Sequence, residues 1–166
     1  RGFRTLLAAE SGCGVDQVLL TPGAAGALFI VATTLLAPGD HLVVLRPNYA
    51  TNIETPRAIG CDISFVDLSF ERGWRYDASD IIRAMTPRTR LVSLTTPHNP
   101  TGTLLDRKSL AEIAALVESR GANLLVDETY RDLSPTLAEP FATTLGERVI
   151  SVASLSKAYG LPGLRI

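Results

Sequence analysis

Two lysines and fourteen arginines make up the basic residues of this 166-residue chain. One of the lysines, Lys157, lies in the small and apolar stretch SVASLSKAYGLPGLR (151–165), eight residues before Arg165. A lysine amine can lose its proton and attack carbon, whereas a guanidinium effectively cannot. An amine kept here, in a chain that otherwise uses arginine, is a candidate nucleophile. Asp127 is the second marker. It closes the apolar run NLLVD (123–127), where a carboxylate is costly unless something pairs with it. Four more stretches carry chemical groups: TPGAAGAL (21–28), RPNY (46–49), TPHNPTG (96–102) and DETY (127–130). Taken singly, each has an ordinary explanation as a turn, a packing residue or a surface amine.

The elements between these stretches suggest why they belong together. Apolar runs at 17–20, 41–45, 62–68, 90–95, 123–127 and 148–153 read as strands, and longer stretches at 2–11, 24–36, 49–59, 77–85 and 106–120 read as helices. The last helix is the best marked. Leu110, Ile113, Ala114 and Val117 repeat at helical spacing, with Asp106 as N-cap and Gly121 as the stop. Strands this apolar, alternating with helices, predict an α/β fold: a mostly parallel sheet with helices on both faces, in three layers. Ligands of such sheets bind beyond the carboxyl ends of the strands. The groups that follow the strands are Gly23, Tyr49, Asn99, Asp127, Tyr130, Ser154, Ser156 and Lys157, so all of them are expected on one edge.

Composition excludes several classes. The chain is 46% hydrophobic and 20% charged, with a net charge of −1 and no basic block, which removes the electrostatic footprint of a nucleic-acid binder. Cys13 and Cys61 have neither metal nor redox spacing, and His41 and His98 form no ligand cluster, so no metal is expected and the thiols read as reduced and intracellular. The apolar stretch GAAGALFIVATTLLAPG (23–39) is short and stopped by Pro38-Gly39, a buried helix rather than a membrane span. No linker divides the chain. It opens on Arg1 and stops at Ile166, just after Arg165, which reads as a fragment of one domain.

One cofactor uses all these groups. An amine for a Schiff base, a carboxylate for a pyridine nitrogen, donors for a phenolate oxygen and an anion site for a phosphate describe a pyridoxal phosphate pocket. The stretches TPHNPTG, VDETY and SLSKAYGLPGLR, in this order and at this separation, resemble the class I/II aminotransferases of the fold-type I pyridoxal phosphate enzymes. The resemblance runs essentially end to end and covers the central part of that family's large domain, without its N-terminal segment and C-terminal small domain.

By that resemblance, Lys157 would carry the internal aldimine and shuttle a proton, and Asp127 would pair with the ring nitrogen. Asn99 and Tyr130 would bond the phenolate oxygen, and Tyr49 would stack on the ring. Gly23, Ala24 and Ala25 would offer amides to the phosphate, completed by Ser154, Ser156 and Arg165. Many relatives have a hydroxyl residue where this chain has Ala25, so the phosphate site is expected to have one donor fewer. The implied activity is transfer of an amino group from an amino acid to a 2-oxo acid, in a cytoplasmic homodimer without membrane or nucleic-acid partners. Cyclase, synthase, lyase and decarboxylase relatives share the pocket, and so does a non-catalytic sensor domain of a transcription regulator. These remain open alternatives.

Overall fold

The computed structural model of the chain describes residues 2–133 and 140–166. Five parallel strands, β1 (His41–Arg46), β2 (Asp62–Asp67), β3 (Thr89–Thr95), β4 (Asn123–Asp127) and β5 (Val149–Val152), form one sheet in the order β2-β1-β3-β4-β5. Five α-helices accompany them: α1 (Gly2–Ser11), α2 (Gly23–Leu35), α3 (Thr51–Ile59), α4 (Ala78–Ala84) and α5 (Arg107–Ser119).

Alternate side chains along the central strands serve two cores. Val43, Leu45, Val92, Leu94, Leu124 and Val126 pack with Ile81 of α4 and with Leu110, Ile113, Ala114 and Val117 of α5. Leu42, Val44, Leu91, Leu125 and Val152 face the other way, onto Leu28 and Ala32 of α2. Both faces of the sheet are therefore covered, as the unbroken apolar runs predict. Helix starts follow local chemistry. The Asp106 carboxylate accepts the Ser109 amide at 2.9 Å, and Asp77 and Asp80 cap α4 reciprocally.

Residues 17–20 are not a strand of this sheet. Val15–Gln17 form a 3₁₀ turn, the Gln17 side chain accepts the Gly14 amide at 2.8 Å, and Leu19 remains exposed. An apolar run without a neighbouring strand to pair with has no ladder to join. The inference that TPGAAGAL follows a strand is thereby corrected; another contact brings it to the site.

His41, at the amino end of β1, ties three strands together. Its Nδ1 bonds Thr89 Oγ1 at 2.8 Å on β3, and its Nε2 bonds Ser64 Oγ at 2.9 Å on β2. Burial, and then the nearby Arg88 charge, hold the ring below its usual pKa, against a smaller opposing pull from Asp62. The unfolded chain then takes up the proton first, so this contribution to stability falls as pH drops through the usual histidine range. Between pH 7.5 and 5.5, His41→Asn is expected to lose less unfolding free energy than the native sequence, by about 1 kcal/mol. Urea melts at the two pH values measure this, and equal losses would contradict it.

Candidate active site

The carboxyl edge of the sheet gathers groups from neighbouring strands. Asp127 ends β4 and is 6% exposed. The Thr129 amide and hydroxyl donate to its Oδ1 at 3.0 and 2.5 Å, and among the described residues no side chain donates to Oδ2. Burial pushes this carboxyl above its usual range, and the two Thr129 bonds pull it partly back. Tyr130 follows three residues later in a short turn. Asn99, beyond β3, donates its amide to the Tyr130 hydroxyl at 3.4 Å. Lys157, beyond β5, places Nζ 5.9 Å from the centre of the Tyr130 ring. Tyr130 is thus the meeting point of groups carried by three adjacent strands.

A second cluster lies at the start of α2. Gly23 adopts φ +76°, and a Cβ built there would stand 3.0 Å from Arg165 Nη2. The Arg165 guanidinium therefore rests against the helix start, which has no side-chain cap. The Gly23 amide turns back to Thr21 O at 2.7 Å, and among the described residues those of Ala24, Ala25 and Gly26 remain as unclaimed donors. Ser154 and Ser156 bond each other at 3.0 Å, and Ser154 also bonds Ile166 O at 3.1 Å, next to Arg165 in the chain. Cation, free amides and hydroxyls make a set suited to an anion.

Tyr49 lies beyond β1 and is half-exposed. Its amide donates to Asn48 Oδ1 at 2.7 Å, which also accepts from Asn52 at 3.0 Å, while Asn48 Nδ2 is buried without an acceptor among the described residues. Asn99 and Tyr130 line an open concavity of about 480 Å³ together with His98, Leu104 and Leu133, whereas Asp127, Lys157 and Arg165 lie outside its lining. His98 itself is a loop tie, bonded to Thr101 Oγ1 at 2.8 Å and Pro47 O at 3.0 Å. Beside Asp127, Glu128 accepts the Ala142 amide and pairs with Arg131, whose guanidinium stacks 3.5 Å over Phe141. That buried pair fastens the turn before β5. Two contributors escaped the sequence reading, Thr129 and Asn48. A hydroxyl two residues after a strand-ending Asp is a known turn signal and could have flagged the first; nothing flagged the second.

The family model described as aminotransferase class I and II matches residues 3–166. The chain belongs to that family. It is 38% identical to a capreomycidine synthase from Streptomyces vinaceus over 99% of its own length and 43% of that protein. It is 33% identical to an arginine–pyruvate transaminase from Pseudomonas aeruginosa, over 95% of itself and 41% of the relative. Among solved structures, a PLP-dependent aminotransferase from Streptococcus suis superposes with a TM-score of 0.91 at 34% identity, covering 98% of this chain and 44% of that one. The chain therefore spans less than half the length of the relatives it matches.

Gly23→Ala forces an L-residue into the left-handed region and displaces Arg165. It should lower stability by about 1–2 kcal/mol in urea melts and abolish any rise in melting temperature with added inorganic phosphate. An unaltered phosphate response would contradict the anion site. Asp127→Asn removes a buried charge that has no ion-pair partner among the described residues. It should leave the cofactor-free protein as stable at pH 8 or more stable, by about 1 kcal/mol, in thermal melts. A loss of 2 kcal/mol or more would mean that the carboxylate is satisfied by groups other than Thr129.

Proposed function

We propose that the protein containing this chain is a pyridoxal phosphate-dependent aminotransferase, moving an amino group from an amino acid to a 2-oxo acid. The observation that carries this reading is the convergence on Tyr130 of the Asn99 amide and the Lys157 amine, three residues after the buried Asp127 carboxylate that ends β4. The residues present fit the cofactor. Among the described residues, Asp127 is a buried carboxylate with one oxygen lacking a protein donor, and the Gly23–Arg165 contact leaves an anion cradle with no side-chain cap. When bound, pyridoxal phosphate supplies a protonated pyridine ring that withdraws electrons from the substrate α-carbon.

The chain's own groups divide the work. Asp127 Oδ2 would hold the proton on the ring nitrogen, and the charge that burial disfavours would gain its counter-ion there. Asn99 and Tyr130 would orient the ring through its phenolate oxygen, and Tyr49 would cover its face. Ala24 and Ala25 amides, Ser154, Ser156 and Arg165 would hold the phosphate, with Gly23 making room for the guanidinium. Lys157 Nζ would hold the cofactor at rest and, freed by the incoming substrate amine, would take the α-proton and pass it to the cofactor rather than back to the α-carbon.

We assign the chain to the cofactor-binding large domain, in a cytoplasmic protein that pairs with a second copy. Among the described residues no helix is long and apolar enough to cross a membrane, and no cluster of three or more His, Cys, Asp or Glu side chains could hold a metal. A second reading has one specific support, the 38% identity to a synthase. Both readings need Lys157 and Asp127 and differ in which substrate bond is broken. The test is to mix the cofactor-loaded full-length protein with a panel of amino acids and analyse the products. Stoichiometric 2-oxo acid, lost by about 10²–10⁴-fold or more in Lys157→Ala, supports transamination. A cyclised or decarboxylated product supports the synthase-type alternative, and no reaction with any amino acid overturns both.

A further inference from the structure

The first residue of interest after Asp127 is neither Glu128, which is spent on Ala142 and Arg131, nor Tyr130, which meets Asn99. It is Thr129. This side chain is 8% exposed, so burial keeps its hydroxyl away from water. Both of its donors, the amide at 3.0 Å and the hydroxyl at 2.5 Å, end on the same oxygen, Asp127 Oδ1. We propose that Thr129 is a positioning residue: by claiming Oδ1 with two donors it fixes the carboxylate plane and presents Oδ2 alone to the ring nitrogen of the cofactor. The inference rests on the pyridoxal phosphate reading and extends it to a residue that touches neither cofactor nor substrate.

The consequence is chemical as well as geometric. An oxygen that already accepts two hydrogen bonds is a poor place for a proton, so protonation of Asp127 is confined to Oδ2. Oδ2 is then the one atom that either carries its own proton or accepts that of the ring nitrogen. No charged neighbour competes for the role. Asp127 is paired across the ladders with Thr95 on β3 and Val152 on β5. Glu128, Tyr130, Arg131 and Asp132 on its own turn and Lys157 beyond the neighbouring strand are the titratable groups around it; Arg131 pairs with Glu128 and Asp132, and among the described residues no ion pair is made to Asp127. Burial raises the carboxyl, and the Thr129 bonds are the opposing influence. Removing the hydroxyl should therefore move the carboxyl further up and leave its plane less defined, without touching the anion cradle at Gly23.

The experiment follows the ¹³C carboxylate resonance of Asp127 through a pH titration of the purified, cofactor-free protein, with Asp127→Asn to assign it. Thr129→Val, which keeps the shape and loses the hydroxyl, should raise the midpoint by about one unit. Thr129→Ala loses the same hydroxyl without relying on valine's packing and should do likewise; Thr129→Ser keeps the hydroxyl and should titrate like the native protein. Pyridoxal phosphate binding, followed by fluorescence quenching, should weaken on acidification at a pH about one unit higher in the hydroxyl-free variants. An unchanged midpoint in Val and Ala, or a Ser variant displaced as far as they are, would overturn the proposal. A native protein that binds no pyridoxal phosphate would overturn the cofactor reading instead, and the carboxylate titration would still decide the clamp.

Discussion

A carboxylate held almost wholly out of water, with no ion-pair partner among the described residues, is the constraint on which the candidate site turns. Asp127 is where it is because β4 is flanked on both sides, by β3 and β5, and covered on both faces by helices. A strand so enclosed can expose polar chemistry only at its ends. The folded chain tolerates the carboxylate through two bonds from Thr129 and leaves the rest of its charge unanswered. Such an imbalance disfavours the folded state alone and favours binding of a group that brings positive charge. The same enclosure that makes the sheet stable makes this position responsive.

The remaining groups are arranged around that point by topology. Strand ends adjacent in the sheet deliver Tyr49, Asn99, Asp127 and the 154–157 segment to one edge, so Asn99 and Lys157, far apart in the chain, both reach Tyr130 without any long-range design beyond parallel pairing. The anion cradle is attached differently. It depends on the approach of Arg165 to Gly23, possible only because glycine has no Cβ and accepts φ +76°. The two halves of the site thus fail in different ways: one through the electrostatics of a buried carboxylate, the other through backbone shape.

Much of this was legible in the sequence, for reasons that can be named. The unbroken apolar runs at 41–45, 90–95 and 123–127 are what two-sided burial requires, and each is a strand. The cap at Asp106 and the left-handed Gly121 bounded α5 correctly because caps are local. The run at 17–20 misled because strand propensity says nothing about whether a partner is available. Thr129 was passed over because its meaning depends on the rotamer of Asp127 and on burial, neither of which a sequence displays. Asn48 was invisible for the same reason: its amide serves the backbone of Tyr49, a neighbour whose own position is set by the end of β1.

The central claim is that Lys157 is the amine of a cofactor site. The most direct measurement is to mix the purified protein with pyridoxal phosphate, reduce with borohydride, and map the labelled peptide by mass spectrometry. Lys108, the only other lysine of the chain, serves as the internal control. Selective label on Lys157 is the result predicted. Equal labelling of both lysines, or none, in protein that circular dichroism shows to be folded would contradict the account.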